Sequence, residues 1–98
     1  MEINTIKNGD EITVAVEGRL DTTTAPDLER ELKGCLDGVK TLILDFSKLE
    51  YTSSAGLRVL LSAQKQMNRQ GEMIVKHVNK TIMEVFEVTG FVDILNIQ

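Results

Sequence analysis

Apolar and polar residues alternate early in the chain: Ile12, Val14 and Val16 are interleaved with Thr13, Ala15 and Glu17. A period of two predicts a strand with one buried face. The run follows Asn8-Gly9-Asp10, a turn signal between two β-like segments, so the first twenty residues read as a hairpin, with Gly18 marking a strand end or bend. The period then lengthens. Ala25, Leu28, Leu32, Cys35 and Leu36 recur at helical spacing behind Thr22-Thr23-Thr24-Ala25-Pro26-Asp27. A threonine there can cap the helix, proline is tolerated in its first turn, and Asp27 favours its positive end. Gly38 closes the element.

Thr41 to Phe46 reads as an apolar strand carrying Asp45 near its end. Apolar residues on both faces place it centrally in a sheet, covered by helices on at least one side. Ser53 to Arg69 reads as a second helix, with Leu57, Leu60, Leu61 and Met67 as core contacts and Gln70-Gly71 as its stop. Met73 to Val78 is another strand. Asn79-Lys80-Thr81 opens a short helix carrying Ile82, Val85 and Phe86, Gly90 breaks it, and Ile94, Leu95 and Ile97 suggest a last short strand. The expected order is ββαβαβαβ, an α/β sandwich with a mixed sheet, and residues 1–98 are read as one domain.

Composition narrows the function. At 98 residues and 42% apolar content, the chain can form one modest core. It has one cysteine, Cys35, so no intrachain disulfide, which suits a reducing compartment. Met1-Glu2-Ile3-Asn4 has neither the basic start nor the apolar stretch of a signal peptide. The longest apolar runs, such as Leu42-Ile43-Leu44 and Val59-Leu60-Leu61, are three residues. The expected location is cytoplasmic. A net charge of −4 argues against nucleic acid and anionic membranes as partners and leaves proteins and small ligands open.

Candidate chemistry is sparse. The sequence offers neither a Gly-rich phosphate motif nor a Cys/His set for zinc, so no cofactor and no metal are expected. His77, the only histidine, lies in an expected strand with no nucleophile near it in sequence and reads as structural or solvent-facing. Cys35 sits on the apolar stripe of the first helix and reads as a small core residue. Asp45 ends a strand as receiver-domain phosphoacceptors do, but the first strand lacks the acidic pair that a receiver needs for Mg²⁺.

One segment stands apart in charge. Tyr51 to Gly71 has no acidic residue but contains Arg58, Lys65 and Arg69, so it carries +3 and the rest of the chain −7. The turn leading into it holds Thr52, Ser53 and Ser54 beside Ala55 and Gly56. A helix N-terminus presents free N–H groups and a positive dipole end, so hydroxyls there can accept an anion or carry a phosphate. The plainer reading makes Ser53 or Ser54 an N-cap and Gly56 a close-packing residue.

Gly18-Arg19-Leu20-Asp21, Pro26, Leu42-Ile43-Leu44-Asp45-Phe46-Ser47, Tyr51-Thr52-Ser53-Ser54-Ala55-Gly56-Leu57-Arg58-Val59-Leu60 and Val85-Phe86-Glu87-Val88-Thr89-Gly90-Phe91 together resemble the STAS-domain family, and within it the bacterial anti-sigma factor antagonists. The resemblance covers nearly the whole chain and implies a STAS-like mixed sheet with helices packed mainly on one face. It also implies a non-enzymatic switch whose partner is an anti-sigma factor with ATP-dependent serine kinase activity, with a serine phosphatase to reset it. Alignment on Gly56-Leu57 puts the phosphoacceptor at Ser54, with Ser53 as the alternative, and sets Asp21 near it. The implied partner-binding residues are Asp21, Thr22, Thr52, Ser53, Ser54, Ala55, Gly56 and Arg58. Two features depart from the family. Ser53 stands where an Asp is common, and the C-terminal helix usual in relatives does not follow Leu95-Asn96-Ile97. A non-switching STAS scaffold subunit of a sensory or transporter-associated assembly, and a small-ligand or nucleotide-binding module, are the competing readings.

Overall fold

The computed structural model describes residues 1–98. Strands β1 (Glu2–Asn8) and β2 (Glu11–Leu20) form the expected antiparallel hairpin, with Ile3 opposite Val16 and Asn8 opposite Glu11. Helix α1 (Ala25–Cys35) follows, then strand β3 (Thr41–Asp45), strand β4 (Leu49–Thr52), helix α2 (Ser54–Gln70), strand β5 (Glu72–Lys76), helix α3 (Lys80–Thr89), a 3₁₀ turn (Phe91–Asp93) and strand β6 (Asn96–Ile97). The sheet runs β1-β2-β3-β5-β6, and β4 pairs with β2. Only the hairpin is antiparallel; the remaining pairs are parallel, so the sheet is mixed.

Alternation decides which face is covered. Ile12, Val14 and Val16 of β2, Leu42 and Leu44 of β3, and Met73 and Val75 of β5 are buried on the helix side. Their neighbours Thr13, Ala15, Ile43 and Ile74 face the other way and stay half-exposed. The core continues through Leu28 and Leu32 of α1, Leu57, Leu60 and Met67 of α2, and Ile82 and Phe86 of α3. Each such side chain contributes about 1.5–3 kcal/mol when fully withdrawn from water.

The structure departs from the sequence expectation in several places. Strand β4 was not anticipated: it has four residues and an irregular burial pattern, and it begins right after a turn in which the Leu49 N–H donates to the Phe46 carbonyl. The order is therefore ββαββαβαβ. Strand β3 stops at Asp45, although Phe46 beyond it is fully buried. Strand β5 stops at Lys76 rather than Val78, because His77 takes a left-handed conformation (φ 60°) and turns the chain out of the sheet. His77 is thus an exposed loop residue. Helix α2 begins at Ser54, with Ser53 as its cap, and runs to Gln70. Leu61 is half-exposed instead of core, because the buried stripe runs through Gly56, Val59, Leu60, Ala63 and Met67, and Val59 and Ala63 face α1 while Leu61 lies on the opposite flank. Cys35, the last residue of α1, is only half-buried, and this partial burial pushes its thiol pKa up. The final strand is the Asn96–Ile97 pair alone, and Ile94 before it is exposed.

Candidate functional site

Strands β2 and β4 run parallel with Leu20 opposite Thr52, after a register shift at Gly18/Arg19. Their C-terminal ends therefore emerge together, and the Ser53 N–H donates to the Leu20 carbonyl (2.9 Å). This pairing brings the Asp21 turn and the Ser53-Ser54 turn side by side. It also stacks the Arg19 guanidinium over the Tyr51 ring at 4.4 Å, one residue upstream on each strand.

At the α2 entrance the two serines have different roles. Ser53 has extended backbone (φ −101°, ψ 179°), and its Oγ accepts a hydrogen bond from the Ala55 N–H (3.2 Å), so Ser53 is the N-cap. Thr52 is 2% exposed, with its hydroxyl directed to the Ser53 carbonyl. Ser54 is the first helical residue and is exposed; the side-chain hydrogen bonds of this turn are made by Thr52 and Ser53, and its own hydroxyl is free. The first turn of α2 contains no acidic residue. Arg58, one turn on, is exposed and takes part in none of the ion pairs, which join Arg30 to Asp27, Lys33 to Glu29 and Lys48 to Glu17. Residues four apart share a helix face, so Arg58 lies on the Ser54 side.

Gly56 explains how the turn sits so close to the sheet. A Cβ there would fall 2.4 Å from Thr52 Oγ1 and 2.7 Å from Leu20 Cγ. Thr52 and Gly56, both buried, shape the turn from beneath; Ser54 and Arg58 present it to solvent.

The α1 entrance does not use the expected threonine cap. Thr24 occupies the cap position in helical conformation without a side-chain cap bond. Asp21 does the work: its Oδ1 accepts from the Thr23 hydroxyl (2.8 Å), the Thr23 N–H (3.0 Å) and the Thr24 N–H (3.2 Å), and its carbonyl accepts from the Ala25 N–H (2.8 Å). The Thr23 hydroxyl, then the Thr23 and Thr24 amides, hold the Asp21 carboxyl below its usual pKa, against an opposing contribution from desolvation. Asp21 is therefore a charged turn-former beside the serines. Thr22 stays exposed at the apex.

Between the two entrances lies an open groove of about 290 Å³, lined by Thr22, Ala25, Pro26, Glu29, Ala55, Arg58 and Val59. Of the residues anticipated from sequence, Thr22, Ala55 and Arg58 meet here, while Asp21, Ser53 and Ser54 flank it. Sequence reasoning missed Pro26, Glu29 and Val59 as groove residues, because helix–helix adjacency is not written in either helix alone. It also missed the Arg19–Tyr51 stack, which the cross-strand register would have disclosed had β4 been recognised.

A family model described as STAS domain matches residues 2–98. BtrV of Bordetella bronchiseptica, assigned by name to the anti-sigma factor antagonists, is 38% identical over 85 residues, covering 85% of this chain and 73% of that protein. An anti-sigma factor antagonist from Mycobacterium paratuberculosis has the same fold, with a TM-score of 0.88 at 22% identity, over 98% of this chain and 83% of the other. So does the Bacillus cell-fate determinant SpoIIAA in its phosphorylated form, with a TM-score of 0.77 at 17% identity, over 99% and 91%. No helix of this chain is long and apolar enough to cross a membrane.

Proposed function

The chain belongs to the STAS domain family, and from that premise we propose that it is an anti-sigma factor antagonist, a cytoplasmic binding protein switched by phosphorylation of Ser54. Its partner is an anti-sigma factor that also acts as an ATP-dependent serine kinase, and a serine phosphatase reverses the modification. Unmodified, the surface around Ser54, Ala55, Arg58 and Thr22 engages the partner and frees a sigma factor. It acts by binding and not by catalysis.

The observation that carries this reading is the division of labour between the serines. Ser53 spends its hydroxyl on the helix, and Ser54 leaves its own exposed and free. Ser53 stands where relatives commonly carry Asp; as a cap it accepts from the same helix amides a carboxylate would, so the substitution preserves the turn. A phosphate on Ser54 adds about −1.5 to −2 charges. The positive helix end and Arg58 tolerate that charge, so the fold persists. The partner surface, shaped for a neutral hydroxyl beside the ionised Asp21, does not.

The test is calorimetric titration of the anti-sigma factor with the unmodified chain and with Ser54→Glu. A loss of about 3 kcal/mol, over a hundredfold in Kd, is expected for the variant. Equal affinities would refute the switch.

A further inference from the structure

The two edges of the sheet are unlike. At one, β6 offers only Asn96 and Ile97. At the other, β1 runs seven residues, pairs only with β2, and does so without a register shift. Every residue of β1 except Ile3 is exposed. The strand has no proline and no bulge, the devices with which natural sheets blunt a free edge, and Lys7 is its one basic residue.

The hairpin turn settles which backbone groups are free. Asn8 lies opposite Glu11, and the two residues between them begin with Gly9 at φ 66°. A two-residue turn of this kind closes on a hydrogen-bonded pair, and bonded and non-bonded pairs alternate outward from it. Glu2, Asn4, Ile6 and Asn8 thus direct their N–H and C=O groups to β2, while Ile3, Thr5 and Lys7 direct theirs away from it.

We infer that β1 is a self-association edge, at which two copies of this chain pair antiparallel, β1 against β1, with Thr5 on the twofold axis. An axis that sets two strands side by side is normal to the sheet, so opposed residues share a face. Among the registers this permits, the one centred on Thr5 engages all three outward residues, with Thr5 against Thr5 and Ile3 against Lys7 on either side. It also uses the full strand, with Glu2 opposite Asn8 and Asn4 opposite Ile6, and it sets no like charges opposite each other along β1 itself.

Side chains on both faces fit a second copy. On the open face Ile6 is 68% exposed, at the end of a row that the strand registers align through Thr13, Ile43 and Ile74. In the dimer each Ile6 lies diagonal to the other, within reach of an aliphatic contact. On the helix face, Thr5 Oγ1 donates to Glu31 (2.8 Å). Lys7 of one copy, opposite Ile3 of the other, sits one pair away from that Thr5 and brings a cation to Glu31 across the axis. This charge complementarity repeats twice by symmetry and selects a second copy over an unrelated extended peptide.

One strand pair with these flanking contacts falls at or below the ~1,200 Å² that opens the range of specific interfaces, which places the dimer among weak, reversible associations. Asp21, Ser53, Ser54 and Arg58 are not part of this edge, so both copies keep the switch turn free.

Sedimentation equilibrium of the full chain from about 5 to about 500 µM covers the range of a weak, reversible dimer. Mass should rise from 10.9 kDa toward twice that value. Thr5→Pro removes the outward N–H on the axis without touching the β1–β2 ladder. Thr5→Glu sets two carboxylates against each other there, beside the Glu31 carboxylate that Thr5 now contacts in each copy. Both variants, with native circular dichroism, should raise the dimer Kd at least about tenfold, and salt should partly restore dimerisation of the Glu variant. If Thr5→Pro fails to fold, the Glu variant decides. A wild-type chain that stays at monomer mass throughout, or a dimer equally tight in a folded variant, would overturn the inference.

Discussion

Helices α1 and α2 both begin where a strand of the same parallel pair ends, yet their first turns are finished differently. At α1 the chain satisfies itself: Asp21 takes the Thr23 and Thr24 donors, and Asp27 adds a second negative charge that Arg30 pairs. At α2 only Ser53 caps, the first turn has no acid, Ser54 keeps a free hydroxyl, and Arg58 keeps a free charge. The first entrance is electrostatically complete; the second has capacity left for a negative group. A negative charge added at α2 would be accommodated, and one added at α1 would be repelled. The comparison also separates the hydroxyl that caps α2 from the one left exposed, since they belong to different serines.

The comparison is tested hardest through charge. Ser54→Glu is expected to weaken anti-sigma factor binding over about a hundredfold, near 3 kcal/mol. Ser62→Glu, exposed further along the same helix, should leave Kd within about twofold, because helix-terminal electrostatics fade beyond the first turn. Equal losses would mean that net charge, and not the entrance, controls binding.

Packing beneath the entrance is the next lever. Gly56→Ala drives a Cβ into Thr52 and Leu20. Overpacking of this kind costs about 1–3 kcal/mol, to be read as a lower urea midpoint with unchanged slope. Loss of partner binding should accompany it, since the turn must lift away from the sheet.

The serines themselves give a smaller contrast. Ser53→Ala removes the cap and should cost about 1 kcal/mol. Ser54→Ala, at an exposed position without a hydrogen bond, should stay within about 0.5 kcal/mol of wild type. Equal costs in chemical denaturation would contradict the assignment of roles.

Asp21 supplies the smallest effect and a pH signature. Its carboxyl pKa is lowered in the fold, chiefly by the Thr23 hydroxyl. A depressed folded pKa stabilises above the unfolded carboxylate value, and that stability is lost as pH falls through the folded value. Asp21→Asn should therefore lower the melting temperature slightly at neutral pH, with the gap closing in acid. A gap independent of pH would argue that the carboxylate charge is idle.

Much of this was legible in the sequence, and the exceptions have physical causes. The hairpin and the helices follow from turn signals and from periods of two and 3.6, and the central strand from its continuous apolar run. Strand β4 was not legible, because Leu49 and Thr52 are its only buried residues and its pairing depends on the register shift in β2. His77 looked like strand until its left-handed φ, a tertiary demand, turned it out. At the site, Arg58 stood out by charge and Gly56 by size, while the choice of Ser54 over Ser53 came only from the family resemblance. Which serine caps could not be read, since Ser53 and Ser54 have identical side chains and differ only in backbone conformation. Leu61 failed for a similar reason: its place on the helix was readable, but which flank α1 covers was not.

The account rests on Ser54 being the residue that changes state. Incubation of the chain with the proposed anti-sigma factor kinase and ATP, followed by mass mapping of the peptide containing both serines, tests this directly. The expected result is one phosphate on Ser54, abolished in Ser54→Ala and retained in Ser53→Ala. Phosphate on Ser53, or on neither serine, would contradict it.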